Sequence, residues 1–174
     1  MWLSIREFII DFIKLLIVIV IILLLMIYVV SITQVVGNSM NHTMSNGDVL
    51  VLNKIKYRFT DIKRGDIISL EYDDTKYLIK RVIGLPGDTI SIKNNNLYIN
   101  GELYVENYLD ENLVYEDFEL SSLGYDKIPD DMYFVLGDNR EDSLDSREIG
   151  LIHKDQVIGK VSFRIWPLNR LAAF

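Results

Sequence analysis

Tyr77-Leu78-Ile79-Lys80-Arg81-Val82-Ile83-Gly84-Leu85-Pro86-Gly87-Asp88 sets two signals side by side. Its first seven residues are rich in β-branched and aromatic side chains and read as a strand. Leu85-Pro86-Gly87-Asp88 then reads as a type II turn, with proline fixing φ at the first central position and glycine tolerating positive φ at the second. Working outward, runs of the same kind recur between turn signals at residues 49–52, 67–70, 89–92 and 97–99. The last of these meets Asn100-Gly101 and another short run, the strongest hairpin signal in the chain. Beyond residue 36 no stretch keeps a 3.6-residue apolar period, so the expectation is a mostly β domain. Residues 102–131 are acidic, tyrosine-rich and irregular, and are expected to be an exposed excursion from the sheet with no chemistry assigned.

Ahead of this domain, residues 15–36 contain no ionisable side chain. At about 1.5 Å per residue they form a helix of roughly 30 Å, the thickness of a bilayer core. A cleavable secretory signal has a shorter apolar core and a small-residue cleavage site; Ser31-Ile32-Thr33 is a poor one, so the segment is expected to be retained. Arg6, Lys14 and the amino terminus flank one side, whereas the next cation along the chain is Lys54. The positive-inside rule then places residues 1–14 in the cytoplasm, residues 15–36 across the membrane and residues 37–174 outside as a β domain.

Composition narrows the chemistry. The 174 residues allow one membrane segment and one domain of ordinary size. Cysteine is absent, which removes disulfides, thiolate zinc sites and a cysteine nucleophile, and two histidines are too few for a histidine-rich metal site. The net charge of −7 falls entirely beyond residue 36, because Arg6 and Lys14 balance Glu7 and Asp11. An acidic domain of this kind is a poor partner for nucleic acid phosphates.

Gly37-Asn38-Ser39-Met40 places a serine where the chain leaves the apolar run. A serine hydroxyl is a weak nucleophile until a neighbouring base takes its proton. His42 is three residues away, but nothing in the sequence orients it. Lys80 is the stronger candidate: strand alternation puts it on the side of Leu78 and Val82, where desolvation lowers an ammonium pKa and makes a neutral amine accessible. The alternative is a lysine that packs its stem and keeps its head in water, from spacing alone the commoner arrangement. Residues 137–150, Gly-Asp-Asn-Arg-Glu-Asp-Ser-Leu-Asp-Ser-Arg-Glu-Ile-Gly, read equally as a surface loop with ion pairs or as a buried hydrogen-bonded scaffold for a catalytic pair.

In this order the segments resemble the bacterial type I signal peptidases, particularly the short single-span kind of Gram-positive bacteria. The resemblance covers Gly37 to Thr43, Arg64-Gly65-Asp66, Lys80 to Asp88 and the box from Gly137 to Gly150. It continues through Ile158-Gly159-Lys160 and Phe163-Arg164-Ile165-Trp166-Pro167. It implies a membrane-anchored serine endopeptidase that removes N-terminal signal peptides from exported preproteins at the outer face of the cell membrane, without metal or cofactor. Ser39 would be the nucleophile and Lys80 the general base, a pair replacing the Ser-His-Asp triad. Ser143 would orient the lysine, while Asp145 and Arg147 would form a supporting ion pair. Preproteins with small residues one and three positions before the cut, membrane lipid and the export machinery are the implied partners.

Two departures stand out. Some family members add an oxyanion-hole hydroxyl two residues before the nucleophile, where this chain has Gly37, leaving the second donor unassigned. The usual Ser-Met-x-Pro-Thr is Ser39-Met40-Asn41-His42-Thr43, so the restraint of proline after the nucleophile is lost. His42 is expected to lower efficiency or shift substrate choice without abolishing chemistry. It also motivates an alternative, a catalytically weak relative that assists assembly of pili or other surface proteins, against which the retention of both Ser39 and Lys80 argues. Ser-Lys autoproteases of the repressor type need a DNA-binding helix-turn-helix, and a membrane helix occupies that place.

Overall fold

The computed structural model describes residues 2–73, 75–109 and 116–174, with side chains from Ser4 onward. The chain begins with helix α1 (Trp2–Val29), 28 residues long, whose apolar side chains project away from the rest of the protein. Within it, Ser4–Val29 is long and apolar enough to cross a membrane. Strand β1 (Val30–Gln34) follows without a linker and pairs antiparallel with β2 (Val49–Asn53). The helix expected to run to Val36 therefore ends at Val29. Its last residues are β-branched and find a ladder partner in β2, and that pairing decides between two forms that apolar composition cannot separate. The Lys54 amide donates to Val29 O at 2.9 Å and its Nζ to Ile27 O at 3.1 Å, satisfying carbonyls that a helix end leaves open.

A short helix α2 (Lys56–Phe59) leads to β3 (Ile67–Asp73) and β4 (Lys76–Gly84), the strand carrying Lys80. After the turn at residues 85–88 come β5 (Ile90–Lys93), β6 (Asn96–Ile99), β7 (Glu102–Tyr104) and β8 (Phe118–Glu119). The chain closes with β9 (Met132–Leu136), α3 (Ser146–Ile149), β10 (Ile152–His153), β11 (Val157–Trp166) and β12 (Ala172–Ala173). The main sheet has the order β1-β2-β11-β3-β4-β9-β10, with β12 on β11; the second has the order β7-β6-β5-β8. The fold is mostly β behind an N-terminal apolar helix, as the strand signals led us to expect.

Both turns read from sequence are present. Asp88 N donates to Leu85 O at 3.0 Å with Gly87 at φ +85°, and Asn100-Gly101 sits at φ +54° and +81° between β6 and β7. Residues 102–131 differ from expectation. Residues 110–115 lie outside the described part, but β7 and β8 join the second sheet, and Leu120 and Ile128 are buried with Ile83, Ile90, Ile92, Leu97, Phe134 and Leu136. Acidic composition masked a segment that contributes apolar anchors to the core rather than simply leaving it. A second cluster, of Met40, Met44, Leu50, Leu52, Ile67 and Val161, lies beneath the serine turn, and a third joins Ile68, Leu70, Val82, Tyr133, Val135 and Ile152.

Candidate active site

The turn carrying Ser39 closes between β1 and β2. Val35 N donates to Asp48 O at 2.8 Å and Gly47 N to Val35 O at 2.9 Å, while Met40 and Met44 are sunk into the core as apolar pins. From the other side the residue 137–150 box grips it. Asn139 N donates to Ser39 O at 3.0 Å, Asn139 Nδ2 to Asn38 O at 3.2 Å, and Thr43 Oγ1 to Asp138 Oδ2 at 2.5 Å. Each reading of that box holds in part: Asp138, Arg140, Ser143, Asp145 and Ser146 are buried as an internal scaffold, while Glu141, Asp142, Leu144 and Glu148 are exposed.

Lys80 lies on β4 with Ile68 as its cross-strand partner; Ile68, Leu78 and Val82 belong to one apolar cluster, the flank expected from strand alternation. The lysine is only 1% exposed. Its Nζ stands 2.7 Å from Ser39 Oγ. Desolvation lowers its pKa to about 8, against an opposing pull from the Asp145 and Asp138 carboxylates. No carboxylate forms an ion pair with it among the described residues.

The remaining sequence candidates fall out unevenly. Asp145 and Arg147 form a two-point pair, with Nε–Oδ1 and Nη2–Oδ2 both 2.9 Å. Asp145 also accepts from Gly137 N at 3.1 Å and caps α3 through Arg147 N, so one carboxylate ties the box together. Ser143 is buried beside them, but its Oγ has no hydrogen-bond partner among the described residues and does not bond Lys80. Gly37 has φ +97° and donates its amide to Asn46 Oδ1 at 3.0 Å. His42 is exposed at φ +79°, the third residue of a turn closed by Thr43 N donating to Met40 O at 3.2 Å, and makes no bond to Ser39. Proline, locked near −65°, cannot take that backbone, so the turn after the serine differs in kind from one built on proline.

Sequence reasoning missed an assembly on the neighbouring residue. Arg81 Nε and Nη2 donate to Asp138 at 2.8 and 2.6 Å, and the Tyr108 ring covers the guanidinium at 3.9 Å. Tyr108 OH donates to Glu106 at 2.5 Å, and Glu106 takes two bonds from the buried Arg140. Gly137 was also passed over. A Cβ there would lie 2.1 Å from Ser143 Oγ and 2.4 Å from Ser39 O, so only glycine lets the box approach the serine turn. The one available signal was Gly137-Asp138 opening a run dense in charge; nothing local said that Asp138 meets a strand 57 residues earlier.

Beside Ser39 a groove of about 480 Å³ is lined by apolar Val35, Val36, Met40, Leu78 and Ile79 together with polar side chains such as Gln34, Ser69 and Lys76. Another hollow of about 510 Å³ lies against Arg140, Ser143, Arg147 and Glu148, and neither Ser39 nor Lys80 lines it. A hydroxyl and a sealed amine in contact, on the bank of this groove, suit attack on a carbonyl in a strand-like peptide.

The comparisons with known proteins agree. The family described as signal peptidase, peptidase S26, matches residues 9–166. Signal peptidase I P of Bacillus subtilis subsp. natto is 43% identical over 141 residues, spanning 78% of this chain and 76% of that protein. Signal peptidase IB of Staphylococcus aureus is 38% identical over 154 residues, spanning 82% and 81%. A crystal structure of a signal peptidase I from Enterococcus faecalis V583 superposes with a TM-score of 0.54 at 36% identity, covering 59% of this chain and 98% of that one. On the length and level of these matches, the chain belongs to the signal peptidase family, peptidase S26.

Proposed function

We propose that Ser39 and Lys80 are the catalytic pair of this membrane-anchored signal peptidase, a serine endopeptidase that removes signal peptides from preproteins. The 2.7 Å contact between Ser39 Oγ and a lysine sealed from water carries the assignment. With its pKa near 8, Lys80 holds a useful fraction of neutral amine at ordinary pH. That amine takes the Ser39 proton as Oγ attacks the scissile carbonyl. The resulting ammonium gives the proton to the leaving nitrogen, and the acyl-serine ester remains. Water, deprotonated by the same amine, then attacks the ester and frees Ser39.

The tetrahedral oxyanion needs donors already in place. The Ser39 amide has no acceptor of its own among the described residues, whereas the Gly37 amide is committed to Asn46. Asp145 and Arg147 act as positioning groups that tie the start of α3 to the Gly137 amide, and Ser143 packs against Gly137. The groove suits an extended segment with small residues before the cut.

For topology the reading is an N-terminus in the cytoplasm and the β domain outside. From Leu15 to Val29 the helix rises only about 22 Å, so a bilayer core of about 30 Å takes in residues before Lys14. The 2.9 Å Lys14–Asp11 pair then sits within a turn of the inner interface. The fit between the Ser-Lys pair and proteolysis disfavours a non-cutting assembly factor. Incubating a purified preprotein with the full-length enzyme in liposomes, beside Ser39→Ala and Lys80→Ala, tests the assignment. Cleavage by wild type alone is expected; equal cleavage by either variant refutes it. Because the chain has no cysteine, single cysteines introduced at residues 3 and 126 and labelled from outside report the topology directly.

A further inference from the structure

We propose that the segment around α2, together with Lys160, is a binding surface for the headgroups of anionic phospholipids beside the end of helix α1; the proposal rests on the membrane-anchored reading of that helix. Strand β2 returns the chain to the helix end, where Lys54 bonds the carbonyls of Val29 and Ile27. Residues 54–64 thus stand where the helix meets the domain, and they carry five cations, Lys54, Lys56, Arg58, Lys63 and Arg64, against one carboxylate, Asp61. This concentration is notable in a chain of net charge −7. Lys160 reaches the same place from β11, where its Cα partner is Asn53, itself the partner of Val30.

Two of these cations already have work. Lys54 serves the helix end, and Arg64 turns to Asp88 at 2.9 Å. The rest share little negative charge. Asp66 is bound to Lys160 Nζ at 2.7 Å and accepts from Tyr57 OH at 3.0 Å, so that carboxylate is already committed. Desolvation first, and then the Lys160 and Lys63 charges, press the Lys56 pKa down against the pull of Asp66. The Arg58 and Lys63 side chains have no hydrogen-bond or ion-pair partner among the described residues. Phe59, at the end of α2, is 81% exposed between them. Cations around an exposed aromatic at the level of a membrane helix terminus match a leaflet bearing negative headgroups, with Phe59 entering the acyl boundary.

The full-length chain carrying Ser39→Ala, taken from mixed micelles of phosphatidylcholine and phosphatidylglycerol, tests this by native mass spectrometry without reliance on catalysis. Selective retention of phosphatidylglycerol is expected, falling about fivefold for each cation removed in Lys56→Gln, Arg58→Gln and Lys63→Gln. Phe59→Ala should weaken it further, and Lys93→Gln with Lys127→Gln should leave it unchanged. The three glutamine variants, rebuilt with Ser39 intact, should still cut a preprotein in detergent, which shows that they fold. Equal retention by wild type and the triple variant overturns the proposal, as does equal loss in the Lys93 and Lys127 control. Displacement by inorganic phosphate at ordinary buffer strength would assign the cluster to free phosphate and also overturn it.

Discussion

Lys80 and Arg81 are adjacent on β4 and both are nearly sealed from solvent, yet the fold treats their charges in opposite ways. Arg81 receives both oxygens of Asp138, the Gly65 carbonyl and a tyrosine ring. Burial works against its charge, but the Asp138 carboxylate more than offsets this and holds the guanidinium above its ordinary pKa. Lys80 receives one hydroxyl and an apolar wall, and its pKa falls. Burial alone therefore does not make a base. A buried cation stays charged if it is given a carboxylate and becomes a proton acceptor if the carboxylates are kept beyond contact.

The contrast breaks most completely at Lys80. A guanidinium cannot give up its proton, so Lys80→Arg should cost about 10⁴-fold or more in preprotein cleavage, measured in single-turnover assays. In the wild type, kcat/KM should rise tenfold per unit of pH and level off above about 8, as the lysine empties. Stability should move with the same group. Below pH 8 the folded chain carries an ammonium it disfavours. Because the unfolded chain holds that proton up to about pH 10.5, stability rises through the window between and is then free of the penalty. Lys80→Met should remove this slope from denaturant titrations; a slope that survives would place the shifted group elsewhere.

The next largest effect belongs to Arg81. Asp138→Ala strands a buried guanidinium and frees Thr43, and should lower unfolding stability by about 3–5 kcal/mol in thermal melts. Arg81→Met combined with Asp138→Leu should recover much of that stability, because no unpaired charge remains, while leaving cleavage impaired through the loosened serine turn. If the double variant is as unstable as the single one, the pair's role lies in packing and the comparison with Lys80 loses its electrostatic basis.

The smallest effect concerns the turn that links the two sites, for Ser39 faces Lys80 and Thr43 faces Asp138. His42 stands between them at φ +79°. His42→Gly removes the Cβ cost of that backbone and should be neutral or stabilising by up to about 1 kcal/mol, with cleavage retained. His42→Pro installs the residue that the family resemblance implies there, but proline cannot adopt the angle, so the variant should lower both melting temperature and activity. A proline variant that gains activity would mean that the turn relaxes to another form in solution.

Much of the fold was legible because its signals are local. The Leu85–Asp88 turn, the Asn100-Gly101 hairpin and the strand runs around residues 49, 67, 77 and 89 declare themselves through side chains a few positions apart. What escaped was set at long range. Residues 30–34 carry no ionisable side chain, like the helix before them, and only the ladder to β2 makes them a strand. Leu120 and Ile128 lie in a stretch whose acidic composition points outward, and only the second sheet gives them a core to enter. At the candidate site, the ordered family motifs single out Ser39 and Lys80, whereas spacing alone favours a snorkelling lysine. Arg81 carried no such signal, since its partner is remote and a basic residue on a strand reads first as a solvated one.

Strand β1 runs from the end of the membrane helix to the threshold of the serine turn, five residues with no flexible joint. At about 3.3 Å per residue it measures some 17 Å, and its ladder with β2 prevents it from stretching or folding back. It works as a ruler. With α1 as the membrane anchor, the length of this strand sets how far the serine turn stands from the helix end, so two residues inserted within it should move the blade while leaving its edge intact.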